Sequence, residues 1–257
     1  MTEVAAILTI SYRDVLRFLR DRVRIVATLV FPLVFIGILG GSFEANLEAS
    51  YSFFTFVFTG VYAQNLFQSA AGGLISLIED RENDFSQEIF VAPISRYSIV
   101  FGKILGETLV ALAQGVAIIL FGLVLGLSLS PQQILALLVT GIVACLLGGA
   151  FGVMVLGNIG SQRAANQIFP FIIFPQFFLA GVFAPIKNLP PLLDILSRLS
   201  PMRYAIDLTR GLYYAGTDDY SEVVIASPLY NLVVIGALFA VFLIAGTFLF
   251  VRRERNR

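Results

Sequence analysis

Apolar residues run through this chain in long blocks that are greasy on every side, with short polar stretches between them. Six blocks stand out, at 25–43, 51–78, 99–127, 134–157, 168–184 and 229–251. A helix that crosses a bilayer needs about 20 mostly apolar residues, whereas barrel strands alternate apolar and polar over roughly ten. The pattern therefore predicts an all-α, polytopic membrane protein with one transmembrane domain, 1–257, and six spans. Five blocks carry no charge, and the third has Lys103 and Glu107 near its start. The fifth is short and holds Pro170 and Pro175, so a kink or support from neighbouring helices is expected there.

The segments between and before the blocks have periodicities of their own. In residues 4–24, Leu8, Tyr12, Val15 and Leu19 recur at helical spacing, while Arg13, Arg17, Arg20 and Arg24 follow another face. That is the pattern of a helix lying in the membrane interface with guanidinium groups among anionic headgroups; the plain alternative is an arginine-rich flank that sets topology. In residues 185–228, Leu192, Leu196 and Leu199 share a face, with Asp194 and Arg198 four apart, which predicts a short helix over 190–199. Ser200 and Pro201 then open a second helix with Met202, Ala205, Ile206 and Leu208 on its apolar side. Arg203 with Asp207, and Asp207 with Arg210, stand at pairing distance along it, and Gly216 is a terminator. Both helices are too short to span, so they are expected to dip into the outer leaflet or lie on it.

Composition agrees with the pattern: 58% of residues are hydrophobic, 13% are charged, and mean hydropathy is +0.87. The formal net charge of zero averages over separate regions. Histidine is absent and the single cysteine, Cys145, sits inside an apolar block, which argues against disulfides and metal sites. A phosphate-cradling loop requires Gly-Lys followed by Ser or Thr. The chain has two lysines, and Lys103 and Lys187 are followed by Ile104 and Asn188. Neither an ATP site nor a nucleophile elbow is encoded, so no enzyme, resident cofactor or nucleic-acid partner is expected. The first apolar block is too long for a signal-peptide core and follows a charged stretch, so no cleavable signal is expected.

Charge placement orients the spans. Arg13, Arg17, Arg20, Arg22 and Arg24 precede the first span, Arg81 and Arg96 flank the second connection, Arg163 lies in the fourth, and Arg252, Arg253, Arg255 and Arg257 follow the last. By the positive-inside rule both termini face the cytoplasm. Lys187, Arg198, Arg203 and Arg210 fall outside, in a long loop mixed with acids where the rule weakens.

Two sets of residues inside the spans carry candidate chemistry. Tyr62, Gln64, Asn65 and Gln68 place polar groups at membrane depth in the second span, where they line a substrate path or hydrogen-bond between helices. Lys103 and Glu107, four apart, read as a local ion pair near the inner interface, with a proton relay through Glu107 as the other reading. Glycine pairs four apart, such as Gly102 with Gly106 and Gly148 with Gly152, permit close helix contact.

The connection at 79–96 is the most unusual stretch. Glu79, Asp80, Glu82, Asp84 and Glu88 face only Arg81 and Arg96, while Phe85, Ile89, Phe90 and Val91 add apolar contacts. An acidic segment is repelled by an anionic inner leaflet. It therefore fits a protein partner, or else forms a solvated turn.

The order of an amphipathic helix, two spans, the segment ENDFSQEIFVAPISRYSIVFGKIL at 82–105, further spans, and LSPMRYAIDLTRGLYYAG at 199–216 before the last span resembles the permease subunits of type-2 ABC exporters. The resemblance covers nearly the whole chain. It implies that 79–96 holds a coupling helix, with Arg81, Glu82, Phe85, Glu88, Ile89 and Phe90 facing an ATPase subunit and Pro93 ending it. It also implies that Pro201, Tyr204, Asp207 and Arg210 belong to re-entrant outer helices over an exit. ATP and Mg would be held by a separate nucleotide-binding subunit, in a bacterial or archaeal cytoplasmic membrane. The permease would pair with a second copy or a paralogue. A hydrophobic or amphipathic substrate, such as a drug, antibiotic or lipid, is expected; a lipid-linked glycan, or an ATP-independent channel or carrier, is the alternative.

Overall fold

The computed structural model describes residues 3–40, 51–82, 95–157 and 159–255, and every regular element among them is helical. In chain order they are α1 (Glu3–Arg20), α2 (Arg22–Phe35) with a π-helical continuation (Ile36–Gly40), α3 (Phe53–Gly73), α4 (Ile75–Glu82), α5 (Arg96–Val124), α6 (Pro131–Leu156), α7 (Gln162–Leu179), α8 (Pro191–Leu199), α9 (Pro201–Tyr213), α10 (Tyr220–Val223) and α11 (Pro228–Arg255). Starts are set locally. Ser52, Ser95, Ser130 and Ser161 each accept a backbone N–H three residues on, at α3, α5, α6 and α7, and Asp21 does the same for α2. At α6 Pro131 and a reciprocal Ser130–Gln133 pair complete the cap.

Among the described residues, three stretches are long and apolar enough to cross a membrane, Tyr97–Val124, Pro131–Leu156 and Tyr220–Arg252. The other expected spans differ for identifiable reasons. Helix α2 contains Pro32 and gives way to a π turn, and α7 contains Pro170 and Pro175. Helix α3 is 21 residues long but carries Gln64, Asn65 and Gln68. Its polarity is tolerated because it lies at the centre, packed on α5, α6 and α9. Lipid cannot satisfy buried amides, so such a helix belongs inside a bundle.

Glycines bring the central helices close. A Cβ on Gly148 would stand 2.2 Å from the Phe67 carbonyl oxygen, and one on Gly152 2.5 Å from that of Ala71, so α6 meets the backbone of α3. Gly102 and Gly106 form a similar seam on α5, with Ile10 and Asp14 of α1 lying 3.0 and 3.1 Å from the positions a Cβ would take.

The two amphipathic helices pack on the bundle differently. Helix α1 buries Ala6, Ile10, Ser11, Asp14 and Phe18 against α5, leaving Leu8, Tyr12 and Leu19 exposed. Its Arg13 and Arg17 reach Asp80 of α4. Helix α9 does not lie on a surface with one apolar side. It is buried along nearly its whole length against α3, α6 and α11. Helix α11 is the opposite case. Only 17% of its apolar window is covered, against 56% and 61% for α5 and α6, and Leu229, Val233, Val241 and Ile244 point outward.

Candidate functional site

At the end of the bundle that carries α1 and α4, the chain gathers charge. Lys103 of α5, only 1% exposed, places Nζ 2.9 Å from Asp80 Oδ2 and 3.2 Å from Asp14 Oδ1. Asp80 also takes Arg13 Nη2 at 2.6 Å and Arg17 Nη1 at 2.9 Å. Burial pushes the Asp80 carboxyl up, but Lys103 and the two arginines outweigh it and hold the group below its ordinary value. Asp14 accepts from Arg13 as well, at 3.2 Å. Three helices are thereby joined through carboxylates that water does not reach.

Glu107, one helical turn beyond Lys103, is also 1% exposed. The local Lys103–Glu107 pair expected from their spacing is not what forms. Glu107 Oε2 receives Arg24 Nη2 from α2 at 3.2 Å, while Ser76 Oγ lies 3.3 Å from Glu107 Oε1 and accepts from Lys103 Nζ at 3.0 Å. The serine bridges the two charges. Gly73 makes this possible, since a Cβ there would fall 2.0 Å from Glu107 Oε2. The kink between α3 and α4 is thus the place where Glu107 inserts.

Beyond Arg24 lies a cavity of about 360 Å³ between α2, α3, α5 and α7. Its wall includes Arg24, Phe31, Asn65, Gln68, Gln114 and Phe169. Gln114 is 2% exposed and Asn65 8%, and among the described residues neither polar atom of Gln114, nor Asn65 Oδ1, has a hydrogen-bond partner. Leaving such atoms buried and unpaired is costly, so the cavity offers them their natural outlet.

Of the four polar residues singled out on the second span, Asn65 and Gln68 line this cavity. Tyr62 does not: its hydroxyl donates to the Leu137 carbonyl at 2.9 Å and packs against Gly141. Gln64 donates to Gln68 along the helix. Asp14, Ser76, Arg24 and Gln114 were not singled out as site residues. Asp14 stands four residues from both Ile10 and Phe18, which places it on the buried face, and Gln114 is an isolated amide in an otherwise apolar run.

The opposite end is organised around α9. Asp207 accepts from the backbone of Ile225 at 2.8 Å and Ala226 at 2.9 Å, and from Asn231 Nδ2 at 2.7 Å, tying α9 to the start of α11. The expected pairs along the helix are replaced. Arg203 Nη1 lies 3.3 Å from Asp194 Oδ1 and 2.8 Å from Ser197 Oγ. Arg210 stacks 3.6 Å above the Phe56 ring and donates to the carbonyls of Phe56 at 3.2 Å and Val182 at 3.3 Å. Tyr204 donates to the Arg198 carbonyl at 2.8 Å, and Pro201 is buried at the first turn. Of the residues assigned by resemblance to the coupling segment, Glu82 is the exposed last residue of α4. Arg81 belongs to α4, and Phe85, Glu88, Ile89, Phe90 and Pro93 lie outside the described residues.

Known proteins resemble the chain in sequence. The pattern of the family described as ABC-2 type transporter matches residues 5–214. A putative transport permease ycf38 of Cyanophora paradoxa is 26% identical over 227 residues, covering 83% of this chain and 74% of the relative. The protein of the same name from Pyropia yezoensis is 28% identical over 231 residues, covering 87% and 78%. A probable multidrug ABC transporter permease, YbhR of Escherichia coli (strain K12), is 24% identical over 164 residues, covering 63% of this chain and 44% of the relative. A family match of that extent, with every regular element among the described residues helical and three of those helices of membrane length, leaves one assignment: the chain belongs to the ABC-2 type transporter family, as a multi-pass membrane permease that is a non-catalytic transport subunit.

Proposed function

We propose that this permease is the membrane half of an ATP-driven exporter for a hydrophobic or amphipathic substrate. It would have six spans, both termini and residues 79–96 on the cytoplasmic side, and the 185–228 segment outside. ATP and Mg would be bound by a separate nucleotide-binding subunit, as is general in this family, and the permease would act as a homodimer or beside a paralogue. Residues of the acidic segment, Glu82, Phe85, Glu88, Ile89 and Phe90 with Pro93 as its stop, would meet that subunit.

The observation that carries this reading is a continuous run of contacts. Glu82 ends α4 two residues after Asp80; Asp80 holds Lys103; Lys103 reaches Ser76; Ser76 lies beside Glu107; and Glu107 holds Arg24 on the cavity wall. A push on α4 would be felt at the cavity through charged groups whose alternatives are poor, because an uncompensated buried charge is expensive. The name of the Escherichia coli relative, a probable multidrug permease, favours an apolar cargo.

The test is co-purification with the ATPase encoded nearest to this chain, followed by reconstitution. The combined change Glu82→Lys, Glu88→Lys and Phe85→Ala is expected to weaken that association and abolish ATP-dependent export. Undiminished association would overturn the coupling assignment, and export by the isolated permease would overturn the ATP-driven one.

A further inference from the structure

Arg24 is the one charged side chain among the described residues that line the cavity, and its commitment to Glu107 is partial. Only Nη2 takes part, at 3.2 Å, which is long for a charge-assisted pair, typically about 2.7–2.9 Å. A guanidinium has five N–H donors, and this side chain retains about a third of its exposure. It therefore has donors to offer an acid on the cavity side.

The rest of the wall is arranged around that charge. Gln114 presents an unpaired donor and an unpaired acceptor, and Asn65 an unpaired acceptor. Phe31 and Phe169 supply the apolar surface. A site with a few convergent polar groups on a largely apolar wall is built for an amphiphile. At about 360 Å³ the cavity sits at the small end of the range for ligand sites, roughly 300–1,000 Å³, which fits one short chain better than a two-chain lipid.

We infer that this cavity binds a single-chain amphipathic anion, its carboxylate or phosphate head on Arg24, its hydrogen-bonding groups on Gln114 and Asn65, and its apolar body against Phe31 and Phe169. This deepens the transport reading by naming the substrate class, and rests on it. Binding sets the ligand's acid in competition with Glu107 for Arg24. A neutral or cationic amphiphile of equal length has nothing to exchange for that pair.

The chain lacks tryptophan, so Phe31→Trp creates a reporter on the cavity wall with no background. The full-length variant in phosphatidylcholine nanodiscs, without any ATPase, is titrated with 12-bromododecanoate, 12-bromododecanol and 12-bromododecyltrimethylammonium, and bromine quenching is read. Saturable quenching by the carboxylate alone is expected. Adding Arg24→Gln should weaken it by at least about tenfold, the worth of one charge-assisted hydrogen bond. Arg24→Lys should retain the preference for the anion, and Gln114→Leu should lower affinity without changing that preference. Glu107→Gln, which removes the competitor and keeps the shape, should tighten binding.

Equal quenching by the three probes, or a carboxylate isotherm unmoved by Arg24→Gln in a folded chain, overturns the proposal. So does displacement of the carboxylate by phosphatidylglycerol added to the disc, which would make the site one for bilayer lipid. Because the assay contains no motor subunit, its failure is separable from failure of the ATP-driven reading, which co-purification tests independently.

Discussion

Lys103 Nζ lies 2.9 Å from Asp80 Oδ2, and both groups are buried although one belongs to a membrane-length helix and the other to the short helix that leads out of the bundle. Four cations and three carboxylates meet around this contact among the described residues: Arg13, Arg17, Arg24 and Lys103 with Asp14, Asp80 and Glu107. The arrangement holds α1, α4 and α5 together around the buried Lys103, Asp14 and Asp80, while Arg17 stays about half exposed.

Removing Asp80 leaves Lys103 and Arg13 with Asp14 as their remaining carboxylate and takes from Arg17 the carboxylate it pairs with. Asp80→Asn is expected to destabilise the purified chain by about 3–5 kcal/mol, the usual consequence of breaking a buried pair from one side. Adding Lys103→Met should recover part of the loss. Thermal unfolding in detergent, followed by circular dichroism, reads both. A double variant no more stable than Asp80→Asn would show that the pair is not the main term.

Acid should act on the same group. Its carboxyl is held below the ordinary range in the folded chain, so the unfolded state binds the proton more readily. The stabilisation is present above the unfolded value, about 3.9, and is lost as pH falls through the lower folded value. The melting temperature of the wild type should drop more steeply below pH 4 than that of Asp80→Asn. Parallel curves would contradict this.

Close packing of α3 and α6 makes a second kind of prediction. Gly148→Ala pushes a methyl against the Phe67 carbonyl, a backbone atom that cannot swing away, and should cost about 1–3 kcal/mol by overpacking. Gly236→Ala meets nothing within 4 Å and should be neutral or slightly stabilising. Melting temperatures of the two variants decide it.

At the other end, Asp207→Ala strips the acceptor from the backbone of Ile225 and Ala226 and from Asn231. A stability loss of about 1–3 kcal/mol is expected from the unsatisfied donors. Protease cleavage between α10 and α11 should also become faster. Unchanged cleavage would mean that the carboxylate does not fasten this junction.

Much of this molecule was legible in the order of its residues. Pro201 marks the start of α9, the leucine spacing over 190–199 marks α8, and the apolar runs of α5, α6 and α11 announce membrane-length helices. These are short-range properties: a cap, a proline or an uninterrupted apolar stretch acts within a few residues and leaves its signature there. Lys103 and Glu107 were visible as charges in the wrong place for the same reason.

Their partners were not visible. Spacing joins Lys103 to Glu107, Arg203 to Asp207 and Asp207 to Arg210, and the fold joins none of these pairs. Asp14, Asp80 and Arg24 reach the α5 charges from helices up to 89 residues away in the chain, and Asp207 finds its donors in the turn before α11. An ion pair four residues apart on a helix contributes only about 0.2–0.5 kcal/mol, less than a buried group gains from a partner that completes its hydrogen bonding. Local periodicity says where a charge stands on its helix; which charge it meets depends on how the helices pack, because burial raises the stakes of every pairing that packing permits.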